Sequence, residues 1–418
     1  MTPRDGAEQG WDRRDFLIRC AAAGAAFGLG LGLEPCLERL EPCLGRWLPS
    51  SLAPIDALPH AKARAEDVAE PERGGKTGRP APSDHVASHW EPREDRSVQC
   101  RLCPRACVVR PGSRGFCRVR ENDGGTYRSL VHSRVSAAHV DPIEKKPFFH
   151  VLPGTNAFSI ATAGCNLRCR FCQNWEISQA SPGEIDAVIA SPEQVASAAA
   201  EAECPVLAFT YAEPTVFWEF ARDVADAGRT RGIRSVFVSN GYQQEAPLRE
   251  IVRRLAAVKI DLKGFTEAYY EEVCGAKLAP VKRTLEILKE EKVWFEIVCL
   301  IVPTRNDDEA QMRDLCAWVA ERLGPETPVH FTAFHPAYRL SNLPSTPVAT
   351  LDRIHGYAAE EGLKFAYVGN VPGHPAQHTY CPGCGATLVR RSSYTILEIR
   401  LRDGRCPDCG RAIPGVWT

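Results

Sequence analysis

Gly164-Cys165-Asn166-Leu167-Arg168-Cys169-Arg170-Phe171-Cys172-Gln173-Asn174-Trp175 is the stretch on which the reading of this chain turns. It follows an apolar run, Phe158–Ala163, that reads as a strand, and it spaces three cysteines as C-x3-C-x2-C. Three thiolates at Cys165, Cys169 and Cys172, with no fourth Cys or His beside them, can grip three corners of an iron–sulfur cube. Protein [4Fe–4S] sites usually take four cysteine thiolates, so a three-thiolate set leaves one iron open. The competing readings are buried free cysteines, or a zinc knuckle with a distant fourth ligand. Zinc knuckles favour paired C-x2-C units, and a loop at a strand's end presents its thiols outward, which disfavours both.

Working outward, two more cysteine groups flank this loop. Upstream, Cys100, Cys103, Cys107 and Cys117 form C-x2-C-x3-C-x9-C around a Gly-containing turn. Four thiolates make a closed set, suited to structural zinc or to a fully ligated iron–sulfur cluster, with zinc slightly preferred. Downstream, Cys381-Pro382-Gly383-Cys384 and Cys406-Pro407-Asp408-Cys409 are matched knuckles with a hairpin between them, the pattern of a four-cysteine zinc ribbon. Zinc there would supply most of the folding energy of a segment too small for its own core, and tetrahedral sulfur sites also accept iron. Its arginines have no aromatic platform beside them, so a structural or docking role is favoured over nucleic-acid binding. Cys204, Cys274, Cys299 and Cys316 have no partners at ligand spacing and read as packing residues, and Cys36 and Cys43 as incidental.

Between these groups, strand-like runs (206–210, 235–238, 257–262, 294–301, 329–334 and 364–368) alternate with helical patterns (215–227, 247–255, 281–291, 309–323 and 351–361). Repeated strand–helix units imply a parallel sheet with right-handed crossovers, and six or seven units point to an incomplete β/α barrel. Functional residues of such barrels sit at the C-terminal strand ends. Glu213 there suits an ammonium group, Ser239 and Asn240 suit a ribose, and Asp261 with Lys263 alternate to one face and suit a zwitterion. His335 can donate or accept a hydrogen bond. Each also has a plainer reading: Glu213 as a helix N-terminal carboxylate, Asp261 and Lys263 as an internal ion pair, His335 as a satisfied core residue.

The chain's 44% hydrophobic and 25% charged residues are ordinary for a globular protein, and its net charge of −1 gives no electrostatic case for nucleic acid or anionic membrane. Clustered at ligand spacing, its eighteen cysteines read as metal ligands, not as a disulfide scaffold. Arg13-Arg14-Asp15-Phe16-Leu17-Ile18 before the uncharged run Cys20–Leu33 resembles a twin-arginine export signal, and the run is too short and glycine-rich for a stable membrane span. The expected segments are this signal and apolar N-terminus (1–48), a disordered Pro/Ala-rich linker (49–96) and a four-cysteine module with a bridge (97–150). A barrel (151–370) and a zinc ribbon (371–418) follow.

With Phe171 just before its third cysteine, the loop resembles the signature of radical S-adenosylmethionine (SAM) enzymes. Cys100–Cys117, Asp141-Pro142-Ile143-Glu144-Lys145-Lys146-Pro147 and Cys172-Gln173-Asn174-Trp175-Glu176-Ile177-Ser178 together narrow the match. The chain from about Val98 onward is similar to the radical enzyme of the AmmeMemoRadiSam system, a family related to the pyruvate formate-lyase activating enzymes. The resemblance implies a partial (β/α)6 barrel and a [4Fe–4S] cluster on Cys165, Cys169 and Cys172 whose open iron is chelated by SAM. It places the methionyl amino group at Glu213 and the methionyl part at Asp261 and Lys263. A low-potential electron donor would drive cleavage to a 5′-deoxyadenosyl radical that abstracts hydrogen from a substrate. Relatives of this type act on a protein backbone, a peptide or a small molecule. Such chemistry belongs to the cytoplasm whereas the N-terminal pattern suggests export. The competing classes are an exported iron–sulfur electron carrier with several metal sites, and a zinc-dependent nucleic-acid-binding protein.

Overall fold

The structure, a computed structural model, describes residues 85–418. The twin-arginine pattern and most of the linker lie outside the described residues. No helix among the described residues is long and apolar enough to cross a membrane.

One eight-stranded sheet carries the fold: β1 (Ala137–Pro142), β2 (Asn156–Ala161), β3 (Val206–Phe209), β4 (Arg234–Ser239), β5 (Ala257–Asp261), β6 (Trp294–Ile301), β7 (Val329–Ala333) and β8 (Ala366–Gly369). They lie side by side in chain order, with β1 antiparallel to β2 and β2 through β8 all parallel. β1 and β8 do not pair, so the sheet is open. Seven parallel strands therefore stand where the sequence predicts six or seven units. β1 was missed because Ala137-Ala138-His139-Val140-Asp141-Pro142 carries neither a clean alternation nor an apolar run.

The parallel strands are apolar and buried on both faces, as β3 shows with Val206, Leu207, Ala208 and Phe209 all inaccessible. Crossover helices α1 (Pro192–Glu201), α2 (Trp218–Arg229), α3 (Glu245–Ile251), α4 (Leu278–Glu290), α5 (Glu309–Trp318) and α6 (Val348–Glu360) connect them. α1 escaped the sequence reading although its start is well marked. Ser191 and Gln194 form a capping box, and Pro192 sits where a missing N–H costs nothing. Its alanine-rich body gives a weak apolar stripe, which explains the omission.

The N-terminal module begins earlier than expected. Trp90–Pro92 pairs antiparallel with Val98–Cys100, and Ala87 is buried, so residues 85–96 are structured rather than linker. Backbone pairing and the Trp90 ring on Tyr127 outweigh the polar composition of that stretch. The module docks on α2 through Arg120, whose Nη2 donates to Glu219 with both side chains fully buried, while the Ser88 N–H donates to the other Glu219 oxygen. Removing one partner of such a pair typically costs about 3–5 kcal/mol.

At the other end, the segment after β8 returns to the start of the barrel. His150 Nδ1 donates to Pro414 O (2.7 Å), His150 Nε2 lies 2.6 Å from Tyr367 Oη, and the Leu152 N–H donates to Val416 O at 2.7 Å. Arg391, also buried, donates to Phe149 O and lies 4.1 Å over the Phe149 ring. The C-terminal hairpin (Thr387–Ser392 with Thr395–Ile399) is thereby fixed to the barrel wall.

Candidate active site and metal centres

The loop after β2 holds Cys165, Cys169 and Cys172 at the C-terminal edge of the sheet. Gly164 opens it at φ +93°, and a Cβ there would stand 2.5 Å from Val119 Cγ1 and 2.8 Å from Cys117 O. Loop and N-terminal module thus meet backbone to backbone. Gly164→Ala is expected to cost about 2–4 kcal/mol, from the left-handed backbone and the clash together. Gly112→Ala, also at positive φ but in open space, should cost no more than about 1–2 kcal/mol. Thermal midpoints of the two variants compare them directly, and equal shifts would remove the steric account.

Further ties hold the loop from both sides. Arg105 donates to Asn166 O (3.0 Å) and to Gly275 O, and Arg168 donates to Phe116 O. The two guanidinium groups sandwich the Phe116 ring at 3.8 and 4.1 Å. Cys165 Sγ accepts from the Leu167 N–H at 3.3 Å and from Asn240 Nδ2 at 3.6 Å, and Cys172 Sγ lies 3.2 Å from Ser178 Oγ. Burial pushes the Cys165 thiol well up, and the neighbouring Cys274 thiol, followed by burial, does the same to Cys169. Cys274 therefore sits against the triad, a placement that its sequence distance concealed.

Sulfur spacing separates the three cysteine groups. A single tetrahedral zinc with bonds of ~2.3 Å holds its sulfurs ~3.8 Å apart. Cys381, Cys384, Cys406 and Cys409 meet this, with Cys381–Cys409 at 3.5 Å and Cys384–Cys406 at 3.7 Å. Among the described residues, only that group and His85, His132 and Asp223 bring three or more donor atoms within 4.8 Å of one another. Neither the triad nor Cys100, Cys103, Cys107 and Cys117 does so. The triad's sulfurs are therefore spread wider than those of the C-terminal group.

Cys165, Cys169 and Cys172 open onto a cavity of about 740 Å³ also lined by Glu213, Asn240, Asp261, Lys263 and His335. Glu213 is buried and caps the short helical turn Pro214–Phe217, so its plain reading holds as well. Oε1 accepts from Thr215 N–H (3.0 Å), Thr215 Oγ1 (2.6 Å) and Ser239 Oγ (2.7 Å), and Oε2 from the Asn240 N–H (2.8 Å). Burial raises its pKa, with these donors opposing. Ser239 does not line the cavity. It acts through Glu213, because its hydroxyl is turned to the carboxylate and receives Gly241 N–H and Gln243 Nε2 from behind.

Asp261 is held by two lysines, Lys263 at 3.2 Å and Lys259 closer still. Burial alone would raise its carboxyl, but the two ammonium groups keep it at about 2. The predicted ion pair is thus a triplet, and Lys259 was readable from the alternation Lys259-Ile260-Asp261-Leu262-Lys263. His335 is more exposed, with Nδ1 3.2 Å from Ser345 Oγ. Tyr338 stacks on Trp175 at 5.2 Å.

The sequence reading missed most of the opposite wall. Asp141 accepts from Lys145 (2.8 Å), Lys146 (2.5 Å) and Tyr211 Oη, joining the Asp141–Pro147 run to the cavity. Burial pushes the Lys146 ammonium down to about 8 despite Asp141. Glu296 accepts from His330 (2.7 Å) and from the Phe149 and His150 N–H groups behind the cavity. Gln377, Ser393 and Tyr394 of the C-terminal segment complete the lining.

A three-cysteine loop at the C-terminal edge of a parallel α/β sheet thus stands beside a polar cavity. The Radical SAM superfamily model matches residues 159–316. MJ0808, an uncharacterized protein of Methanocaldococcus jannaschii, is 42% identical over 329 residues, which is 78% of this chain and 98% of that one. The chain belongs to the radical SAM superfamily. A second uncharacterized protein of that organism, MJ0674, is 35% identical over 82 residues, 19% of each chain. Among solved structures, a domain of pyruvate-formate lyase-activating enzyme from Bacteroides vulgatus ATCC 8482 is 17% identical, covering 39% of this chain and 98% of that one, with a TM-score of 0.35. Superfamily membership implies SAM and an iron–sulfur cluster as cofactors and an electron donor as a partner.

Proposed function

We propose that this chain is a radical SAM enzyme of the AmmeMemoRadiSam type, in which Cys165, Cys169 and Cys172 hold a [4Fe–4S] cluster with one open iron. The carrying observation is that a triad too widely spaced for one ion opens onto the same cavity as Glu213, Asn240, Asp261 and Lys263. When bound, the cluster with SAM supplies a 5′-deoxyadenosyl radical. The chain's own residues orient, charge-match and shield. Glu213 Oε2, with one donor from the backbone, has a lone pair left for an ammonium. The Lys259–Asp261–Lys263 triplet offers both signs of charge to a zwitterionic amino acid. Asn240 donates to the Cys165 sulfur and lines the same cavity, where it would meet a ribose. The remaining volume, walled by Lys146, Tyr211 and Tyr394, would receive part of a protein or peptide substrate.

Anaerobically reconstituted protein with dithionite and SAM should yield 5′-deoxyadenosine and methionine in equal amounts. An exported electron carrier would be reduced without cleaving SAM, and a zinc-dependent nucleic-acid binder would contain no iron. Glu213→Gln keeps the acceptor for Thr215 and Ser239 but loses the charge. It is expected to raise half-saturating SAM about 10–100-fold, since a hydrogen bond to a charged group is worth about 1.5–3 kcal/mol. Unchanged half-saturation would remove Glu213 from the cofactor site.

A further inference from the structure

We propose that Cys100, Cys103, Cys107 and Cys117 enclose a second iron–sulfur cluster, in place of the zinc that their spacing first suggests, and that Arg120 is the buried donor facing it. The proposal goes beyond the radical reading and is tested apart from it.

The internal comparison comes first. Two four-cysteine groups occur in one chain, and the C-terminal one closes to zinc spacing while no three sulfurs of the N-terminal one do. The four thiols instead surround a small enclosed cavity. A cube of iron and sulfide bonded at its corners holds four thiolates farther apart than a single ion does. The four sulfurs here are spread wider than a single ion sets.

The second observation is independent. Arg120 lines this cavity and is 1% exposed. Its Nη2 is taken by Glu219 and its Nε by Val216 O at 3.4 Å, but Nη1 has no partner. A guanidinium N–H left unsatisfied in the interior is costly, and native proteins rarely tolerate it without a ligand. A sulfide-bearing cluster with thiolate ligands is anionic and accepts hydrogen bonds at sulfur, and such bonds set its potential. The Phe116 N–H already donates to Cys107 Sγ at 3.4 Å.

Position gives the site its meaning. Asn166, the residue after Cys165, forms part of the same cavity wall, and its Oδ1 accepts from Asn240 Nδ2 at 2.9 Å. Gly164 packs on the carbonyl of Cys117. The two cysteine loops are therefore one wall apart, a placement suited to one-electron exchange.

Metal and sulfide analysis of the unsubstituted chain, purified without oxygen and supplied with iron, sulfide and zinc, tests the choice of metal. About eight irons and about eight sulfides per chain, beside one zinc, are expected for two [4Fe–4S] clusters. About four irons with two zincs would overturn the proposal. In Cys165→Ala/Cys169→Ala/Cys172→Ala, about four irons should remain, with an EPR signal indifferent to SAM. Loss of all iron from that variant would also overturn it. Eight irons without SAM cleavage would sink the radical reading and leave this site standing, so the two failures are distinguishable. Arg120→Lys, measured in the triad variant, keeps the charge beside Glu219 and removes Nη1. The midpoint potential of the remaining cluster should fall, and an unchanged potential would exclude Arg120 as its donor.

Discussion

Alanine at Cys165, Cys169 and Cys172 together is expected to cut 5′-deoxyadenosine formation by roughly 10³-fold or more, as when a group on which the whole reaction depends is removed. The loss should be chemical and not structural. Backbone and side-chain ties that do not involve sulfur hold the loop: Asn166 Nδ2 to Tyr242 O at 2.8 Å, Arg168 to Cys165 O at 3.0 Å, and Arg105 to Asn166 O. Circular dichroism and the content of C-terminal metal should therefore be retained. Cys274→Ala is the matched control. Its thiol bonds Cys169 from behind the loop, so product formation should fall by about 10–100-fold at most, well under the effect of losing a ligand. Persistent cleavage in the triple variant would end the proposal that the triad carries the cofactor.

Cys381→Ser with Cys406→Ser should release the C-terminal metal and unfold the hairpin. Structural zinc sites of this kind bind with about 10–16 kcal/mol of apparent free energy, all of it coupled to folding. The effect will spread, because the ribbon is not a separate bead. Cys381, Cys406, Leu388 and Val389 share a core with Phe149, Phe365 and Tyr367, and Arg391 is buried against Phe149. Hydrogen exchange should show lost protection in Thr387–Ile399 and also in β8 and the segment around His150. It should lower activity too, since Ser393 and Tyr394 line the cavity. Protection and activity both unchanged would mean that the four thiols bind nothing that the fold needs.

Much of this site was legible in the sequence because its chemistry is written in spacing. Cys165, Cys169 and Cys172 stand out by their spacing alone, whatever surrounds them. Glu213, Asn240, Asp261 and Lys263 could be placed because strand ends in a parallel sheet face one way. β6, predicted over 294–301, is observed over the same residues, as expected for a long apolar run. What failed to show was whatever depends on contacts between distant residues. Ser239 reads as a ligand contact but turns to Glu213. Cys274 reads as packing and meets Cys169. Lys146 and Tyr211 meet at Asp141, across a sequence separation that no local pattern spans. The polar stretch 85–96 looks like linker until its strand partner, Val98–Cys100, is in place.

The return of the last residues to the first barrel strand has a consequence for how the protein is made. Pro414 and Val416 bond to His150 and Leu152, partners more than half the chain apart, and Arg391 reaches the same segment. Until that segment is in place, the chain just before β2 has no cover and its buried histidine no complete set of bonds. Contacts this remote in sequence form slowly, so closure is a late event in maturation.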